Sequence, residues 1–172
     1  MLEPKPTANE YQRMLALRAL RLLDTEPEDE YDRITNITKF AFKVPICLVS
    51  LVDDDRQWFK SCQGLSVLET PRSISFCGHS IQSKSIFIVP NAPLDPRFAD
   101  NPLVTGEPNI RFYAGCPLAA PGGELIGTLC IISDKARTLD EEEMQVLRDL
   151  SSLVEDEFEK RSHKISLNES PP

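Results

Sequence analysis

Hydrophobic side chains near the N-terminus recur every three or four residues, the spacing of one face of an α-helix. The series consists of Tyr11, Met14, Leu15, Leu22 and Leu23. Thr7 and Glu10 have the T-x-x-E spacing of a capping box, in which the side chain of each residue accepts from the backbone N–H of the other. The pattern predicts a first helix that runs to about Leu23.

Two further helices are predicted by similar series. The second consists of Tyr31, Ile34, Ile37, Thr38 and Ala41. The third lies near the C-terminus and consists of Met144, Leu147, Leu150, Val154 and Phe158. Thr25 with Glu28, and Thr138 with Glu141, predict a capping box at the start of each. We expect the last helix to end near Arg161 and the polar tail over residues 162–172, which contains HKISLNESPP, to be disordered.

Between these helices the pattern changes to runs of β-branched and apolar residues, which favour strands. ICLVSLV (46–52) and RQWFKSC (56–62) flank an acidic turn and predict an antiparallel hairpin. FYAGCPL (112–118) and ELIGTLCIIS (124–133) flank Pro-Gly-Gly and predict a second hairpin. IFIV (86–89) predicts one more short strand.

Glycines and prolines indicate where regular secondary structure is interrupted. Gly115 and Gly127 lie inside predicted strands, which indicates a bulge or the close approach of another group to the backbone. SISFCGHSI (73–81) predicts the start of a short helix. Five prolines between residues 90 and 109 exclude regular structure longer than one helical turn.

The order of these elements predicts a single α+β domain over residues 9–161, preceded by an extension of residues 1–8. A formal net charge of −8 disfavours nucleic acid, whose binding requires clustered Lys and Arg. No apolar run approaches the roughly 18 residues that cross a bilayer, and MLEPKPTANE lacks the basic-then-apolar order of a signal peptide. We therefore expect a cytoplasmic domain whose partners are small molecules or proteins. The five cysteines are widely spaced and fit neither a disulfide framework nor a paired zinc motif.

Five segments carry a resemblance to a known family. In chain order they read LLDTEPEDEYDRIT, VSLVDDDRQWFKS, ETPRSISFCGHSI, DPRFADNPLVTGEPNIRFYAGCPL and GTLCII. They resemble the GAF domain, in the subgroup of sensory GAF domains found N-terminal to histidine kinases and diguanylate cyclases. The resemblance implies a GAF-like α/β/α sandwich with a central six-stranded antiparallel sheet, terminal helices on one face and a ligand-pocket roof on the other.

The resemblance also implies where a ligand binds. The residues that correspond to the roof, wall and rim of the pocket are Phe76, Cys77, His79, Asn91, Asp95, Arg97, Phe98, Arg111, Phe112, Tyr113 and Gly115. This chain reads FCGHS where the subgroup usually reads FCAHA, and it has Asn91 where the subgroup usually has Asp. The missing carboxylate at position 91 disfavours a cation or a basic ligand. Asp95 and Arg97 also fit a structural Asx-type turn, with Asp95 bonded to nearby N–H groups.

Cys77 and His79 are candidates for a catalytic nucleophile and its general base. Residues two apart on a helix point about 200° apart, which disfavours a catalytic pair. Zinc needs four ligands, whereas only His79 and dispersed cysteines are present. Covalent bilin attachment in photosensory GAF domains uses a cysteine followed directly by histidine, and here Gly78 intervenes. We expect no catalytic residue and no metal site, and no cofactor is identified.

The interpretation is a non-catalytic sensory or regulatory domain that binds a small molecule noncovalently. By the resemblance, the first and last helices form a homodimer interface that signals to a downstream kinase or cyclase effector. One alternative is a thiol enzyme such as a free methionine-(R)-sulfoxide reductase, with Cys77 and Cys116 as attacking and resolving thiols. Another is a ligand-free interaction scaffold, which predicts a cavity filled by side chains.

Overall fold

One antiparallel sheet organises the chain, seen in a computed structural model that describes residues 1–169. Its strands are β1 (Ile46–Val52), β2 (Arg56–Gln63), β3 (Glu69–Pro71), β4 (Phe87–Val89), β5 (Phe112–Ala119) and β6 (Leu125–Ser133). Their order across the sheet is β3-β2-β1-β6-β5-β4, and all neighbours are antiparallel. Both predicted hairpins form, and they meet where β1 pairs with β6. The α+β class and the six-stranded antiparallel sheet are confirmed.

Helices cover the two faces of this sheet. They are α1 (Glu10–Ala19), α2 (Asp29–Phe42), α3 (Phe76–Ser80), α4 (Pro102–Thr105) and α5 (Glu141–Glu169), with 3₁₀ turns at Arg72–Ile74 and Ala92–Leu94. Side chains of α1, α2 and α5 share one core with one face of the sheet. The short helix α3, α4 and the segment around them share a second core with the other face. The predicted division into a terminal-helix face and a roof face is therefore confirmed.

Strand β5 shows how the sheet divides its side chains. Phe112, Ala114 and Cys116 belong to the core beneath the helices, whereas Tyr113 belongs to the core beneath the roof. This alternation follows the two-residue period of a strand. Because both faces are covered, β1 and β6 are buried along almost their whole length.

The predicted close approach at the strand glycines is confirmed. A Cβ at Gly127 would lie far inside van der Waals contact with the carbonyl oxygen of Ser50 on β1. A Cβ at Gly115 would collide with the phenol group of Tyr113. The first glycine lets β1 and β6 pair closely, and the second makes room for a side chain of the roof core.

The first helix differs from its prediction in length and in orientation. It ends at Ala19 because Arg21 (φ 51°) and Asp24 (φ 63°) adopt left-handed backbone conformations that a helix cannot contain. Tyr11 and Leu15 are exposed, whereas Met14 is buried, so the apolar series does not form one buried face. Arg13 is buried instead, and its Nη1 donates to the carbonyl oxygen of Val52 at 2.6 Å.

None of the three predicted capping boxes forms in full. The backbone N–H of Thr7 donates to Glu10 Oε2 at 3.0 Å, but that of Glu10 donates to the Thr7 carbonyl and not to the Thr7 hydroxyl. The hydroxyl of Thr25 donates to the Leu22 carbonyl, and Glu28 forms an ion pair with Lys60 at 2.5 Å. At α5 the box lies two residues later than predicted. The backbone N–H of Glu143 donates to Asp140 Oδ1 at 2.8 Å, and that of Asp140 donates to Glu143 Oε1 at 3.2 Å.

The last helix continues past its predicted end at Arg161. Residues 162–169 are helical, so the expected disorder of the tail is wrong for them, while residues 170–172 lie outside the described residues. Arg161 Nε donates to the Leu20 carbonyl at 2.6 Å, and Arg21 forms an ion pair with Glu169. These bonds join the end of α5 to the segment after α1. Among residues 1–169, none of the helices has the length and apolar character needed to cross a membrane.

Candidate functional site

A cavity of about 430 Å³ lies between the roof face of the sheet and the elements that cover it. The sheet contributes Leu48, Phe59 and Ile132 to its wall, and α3 contributes Phe76 and Cys77. The mouth lies beside the loop after β2, where the lining residues Gly64, Ser66 and Val67 are exposed to solvent. The cavity is thus mostly apolar, with an opening on one side.

A few polar groups interrupt this apolar wall. Gln57 is 5% exposed and lines the cavity from β2. Its Nε2 donates to Thr70 Oγ1 at 2.5 Å, and its Oε1 accepts from the hydroxyl of Ser50 at 3.3 Å. Glu107 lines the cavity from its exposed edge. Such a lining, apolar with a small number of fixed polar groups, is typical of small-molecule sites.

The helix α3 holds the roof in place. Ser75 caps it, since Ser75 Oγ accepts from the backbone N–H of Gly78 at 3.1 Å. The ring of Phe76 stacks on Phe98 with centroids 4.1 Å apart and lies 5.2 Å from the ring of Tyr113. The aromatic contacts therefore join α3, the proline-rich segment and β5.

The sulfur of Cys77 lies at the centre of a polar cluster in this otherwise apolar core. Tyr113 Oη donates to Cys77 Sγ at 3.2 Å, and Thr128 Oγ1 donates to it at 3.1 Å. Burial acts to raise the pKa of this thiol, but hydrogen bonds from Cys130, Thr128 and Tyr113 outweigh burial and lower the pKa below its ordinary value. Burial raises the pKa of Cys130 and of Tyr113 well above their ordinary values. Among the three groups, Cys77 is the one whose anion the surroundings favour.

His79 lies on the other side of α3. Its Nε2 and the carbonyl oxygen of Leu2 are 3.0 Å apart, and because a carbonyl only accepts, Nε2 carries the proton. Burial lowers the pKa of His79 and favours the neutral ring. Cys77 and His79 therefore point to different surroundings, as expected for residues two apart on a helix.

The N-terminal extension lies across this outer side of α3. Pro4 packs so closely that a Cβ on Gly78 would lie 2.7 Å from Pro4 Cγ. Gln82 Nε2 donates to the Lys5 carbonyl at 2.6 Å, and the backbone N–H of Leu2 donates to the Arg97 carbonyl at 3.0 Å. We call residues 1–6 the N-terminal arm. It connects the roof directly to the start of α1.

Several residues that the resemblance placed at the pocket lie elsewhere. Asn91, Asp95 and Arg97 line a shallow groove on the outer surface and do not line the cavity. Arg97 donates to Asp95 from its backbone at 2.9 Å and from its guanidinium at 2.7 Å, which is the predicted Asx-type turn. The guanidinium of Arg97 lies over the ring of Phe87, 5.0 Å from the centroid. These side chains bind one another on the far side of the roof.

The other predicted residues do not line the cavity. Arg111 Nη1 donates to the Val104 carbonyl at 2.9 Å, and Phe98 is fully buried behind Phe76. The pocket assignment of Phe112 is wrong, because strand alternation turns its ring into the opposite core, beneath Arg137. Gly115 has no side chain to offer a ligand and instead makes room for Tyr113. Of the predicted set, Phe76, Cys77 and Tyr113 line the cavity.

Sequence reasoning missed Gln57, Thr70, Glu107 and the loop over residues 64–67. The period of two along β2 places Gln57 on the same face as Phe59, so strand alternation could have identified Gln57. The loop has no comparable signal, since its position depends on how the chain returns to β3.

The positions of Cys77 and Cys116 contradict their proposed roles in a thiol enzyme. Cys77 belongs to the roof core, whereas Cys116 belongs to the core beneath the helices. The sheet separates the two thiols, so their pairing as attacking and resolving residues is wrong. Within residues 1–169, no group of three or more His, Cys, Asp or Glu side chains is arranged to hold a metal ion.

Comparison with known proteins gives the same fold. The chain is 41% identical over 155 residues to a cyclic di-GMP phosphodiesterase of Pseudomonas aeruginosa, a match that spans 90% of this chain and 26% of that protein. The chain thus covers about a quarter of the length of this curated relative.

Solved structures resemble it at lower identity. The GAF domain of an Acinetobacter phosphoenolpyruvate-protein phosphotransferase superposes with a TM-score of 0.64 at 19% identity, over 90% of this chain and 97% of that one. A free methionine-R-sulfoxide reductase from Neisseria meningitidis, solved with its substrate, superposes with a TM-score of 0.64 at 20% identity, over 96% and 98% of the two chains. At these identities the likeness establishes the fold alone. The GAF domain family profile matches residues 26–157, which is most of the chain. The chain therefore belongs to the GAF domain family.

Proposed function

We propose that this GAF domain is a sensory module that binds a small molecule noncovalently in the cavity beneath α3. The observation that carries the proposal is the cavity itself, about 430 Å³ with an apolar wall and an exposed mouth. Natural ligand pockets have about 300 to 1,000 Å³. A ligand-free scaffold would instead have this space filled by side chains.

The lining limits the chemistry of the ligand. Leu48, Phe59 and Phe76 favour a compact molecule with apolar surface, while Gln57 and Glu107 offer hydrogen-bonding groups. Since no Lys or Arg lines the cavity, a strongly anionic molecule would be buried without a counter-charge there, which costs several kcal/mol. We therefore propose that the ligand is neutral or weakly polar.

The roof offers a route from this ligand to the terminal helices. Phe76 and Cys77 on the inner side of α3 line the cavity, and Gly78 and His79 on the outer side contact the N-terminal arm. A ligand that shifts α3 would therefore move the arm, which leads into α1. This continuity supports a signal carried by the terminal helices.

Exposed apolar residues on those helices support a homodimer. Tyr11 is 73% exposed on α1, and Leu153 is 48% exposed on α5. Val146 and Leu167 are also exposed on α5 and lie seven and fourteen residues from Leu153, the spacing of a coiled-coil seam. We propose that two copies pack through these helices. The name of the P. aeruginosa relative makes a cyclic di-GMP phosphodiesterase a reasonable effector, beside the kinases and cyclases of the resembling subgroup.

Ligand binding is tested by a thermal-shift screen of small molecules against the reduced protein. A ligand that binds only the folded state, at about a hundred times its Kd, should raise Tm by roughly 5 to 10 °C for a domain of this size. Leu65→Trp should abolish the shift, because Leu65 lines the cavity and the larger ring would occupy it. Leu68→Trp is the matched control, since Leu68 lies in the same loop, is 71% exposed and does not line the cavity. A shift that survives Leu65→Trp would contradict binding in this cavity.

The dimer is tested by sedimentation of the protein at micromolar concentration. We expect a monomer–dimer equilibrium that Leu153→Glu moves toward monomer, because the charge would be buried in the seam. Leu68→Glu, at an exposed loop position away from the terminal helices, should leave the equilibrium unchanged. A parent protein that stays monomeric would contradict the dimer and leave ligand binding to its own test.

A further inference from the structure

We propose that Cys77, in the wall of the cavity, and Cys130, buried on β6 beneath α3, form a peroxide-oxidisable dithiol. The site goes beyond the noncovalent binding proposed above and does not require its ligand. It would make the domain responsive to hydrogen peroxide or a small alkyl hydroperoxide. The proposal depends on where the Cys77 sulfur lies, what bonds to it and which thiol lies next to it.

The position of Cys77 combines burial with access. Its side chain is 2% exposed, yet it lines the cavity. The mouth at Gly64, Ser66 and Val67 connects this cavity to solvent. Hydrogen peroxide is little larger than water and can pass such an opening.

The bonds at Cys77 are those of a thiolate. The hydroxyls of Tyr113 and Thr128 both donate to its sulfur, at 3.2 and 3.1 Å. Two converging hydroxyl donors stabilise an anion more than a neutral thiol, and with the neighbouring Cys130, which has the largest lowering effect, they lower the thiol pKa despite burial. Gly115 contributes indirectly, since a side chain there would displace the Tyr113 hydroxyl.

The second thiol comes from the central strand beneath α3. Cys130 is fully buried on β6, where its register partners are Leu48 on β1 and Gly115 on β5. Cys130 follows Thr128 by two residues on β6 and therefore faces the same side of the sheet as the hydroxyl that donates to Cys77 Sγ at 3.1 Å, and the two cysteines belong to the same core. The other described cysteines are not placed this way. Cys47 and Cys116 belong to the core on the opposite face, and the half-buried Cys62 donates from Sγ to the Leu65 carbonyl at 3.5 Å.

The reaction balances in two steps. The Cys77 thiolate attacks one peroxide oxygen, so an S–O bond forms, the O–O bond breaks, and the departing hydroxide takes a proton and leaves as water. The Cys130 sulfur then attacks the sulfenic sulfur of Cys77, so the S–S bond forms and the S–O bond breaks. The Cys130 proton passes to the second hydroxide. In sum, two thiols and one hydrogen peroxide give one disulfide and two waters.

The product would change the roof. Cys77 belongs to α3 and Cys130 to β6, so the disulfide ties the roof helix covalently to the sheet. Tyr113 and Thr128 lose the anion to which they donate. Because α3 also carries the N-terminal arm, oxidation would act on the same element through which a ligand is proposed to signal.

The test uses the full chain, reduced, freed of reductant and exposed to hydrogen peroxide near neutral pH. After denaturation in an alkylating maleimide, mass spectrometry should show the loss of two hydrogen atoms and a cross-link between peptides containing Cys77 and Cys130. Cys130→Ala should instead leave a sulfenic acid at Cys77 that a cyclic diketone traps. Cys47→Ser is the matched control and should form the same cross-link as the parent protein.

A rate comparison does not depend on any variant folding. In the native protein, iodoacetamide should modify Cys77 about tenfold faster than the half-buried Cys62, because the thiolate is the reactive form. Oxidation confined to Cys62, or a Cys77 that stays fully reduced after peroxide, would overturn the proposal. The thermal-shift screen is run in reductant, so this failure would leave noncovalent binding standing.

Discussion

At the scale of single residues, Gly78 separates this chain from the FCAHA pattern of the subgroup that it resembles. Its backbone is ordinary helix, so conformation does not require glycine there. The requirement is steric, since a Cβ would lie 2.7 Å from both Pro4 Cγ and Ser75 Oγ. We infer that the N-terminal arm packs this closely on α3 because residue 78 has no Cβ.

Gly78→Ala should therefore displace the arm while the domain stays folded. Alanine favours a helix by about 1 kcal/mol over glycine, which offsets part of the lost packing. The amide of Leu2, which donates to the Arg97 carbonyl, should lose its protection in hydrogen exchange. Gly106→Ala is the control, because its Cβ would meet only the Pro102 carbonyl at 3.3 Å. An unchanged Leu2 amide in Gly78→Ala would show that the arm is not held by this contact.

At the scale of elements, Glu10 joins α1 to the segment that leads into the roof. Its carboxylate accepts from Arg13 at 2.7 Å, from Arg72 at 2.6 Å and from the Thr7 backbone at 3.0 Å. Burial alone would raise the pKa of Glu10, but the hydrogen bonds from Arg13 and Arg72 hold it well below its usual range. Arg72 begins the turn before α3, so the ion pairs form a second link between the roof and the first helix.

Glu10→Gln should reduce the free energy of unfolding by about 2 kcal/mol near neutral pH, because Arg13 and Arg72 would be left buried without a counter-charge. A carboxyl whose folded-state pKa is lowered stabilises fully above its unfolded pKa, here 4.5, and the contribution is lost as pH falls toward the folded value. Denaturant unfolding should thus show a gap between parent and variant that is constant near neutral pH and narrows below about pH 4.5.

The exposed Glu159 supplies the matched control, and Glu159→Gln should leave stability unchanged at every pH. A gap for Glu10→Gln that stays constant down to acid pH would mean that the charge of Glu10 does not act as described.

The helices and strands also show how much of the fold could be predicted from the sequence. Both hairpins and the roof helix were predictable, because strand alternation, turn residues and the small residues of SISFCGHSI are local signals. β3 was not, since three residues that include Pro71 give no recognisable period. The extension of α5 was not either, because it is stabilised by bonds from Arg161 and Arg21 to groups more than 100 residues away in sequence.

The candidate site, too, could be predicted from the sequence only in part. Alternation predicts that Phe112 and Tyr113 face opposite ways, but only the packing of the whole sheet decides which ring faces the roof. The family resemblance located α3 correctly and located Asp95 and Arg97 on the wrong side of it. Their mutual hydrogen bonds satisfy them on the outer surface, which a sequence pattern does not distinguish from a pocket wall.

At the scale of the whole molecule, the two faces of the sheet have different roles. The core beneath α1, α2 and α5 is a continuous apolar cluster, and it positions the terminal helices. The core beneath the roof surrounds the cavity and the Cys77 cluster. α3 belongs to this second core, and its outer side contacts the N-terminal arm that leads to α1. The molecule therefore connects a candidate ligand site to a candidate dimer surface through α3 with its N-terminal arm and through the ion pair between Arg72 and Glu10.

Native mass spectrometry of freshly purified, reduced protein tests the central claim most directly, because it weighs any small molecule that the cavity retains. We expect a native mass per chain above the denatured mass, either as purified or after incubation with the compound that raises Tm most. Leu65→Trp should remove the excess and Leu68→Trp should keep it. Equal native and denatured masses under both conditions, or an excess that Leu65→Trp retains, would contradict ligand binding in this cavity.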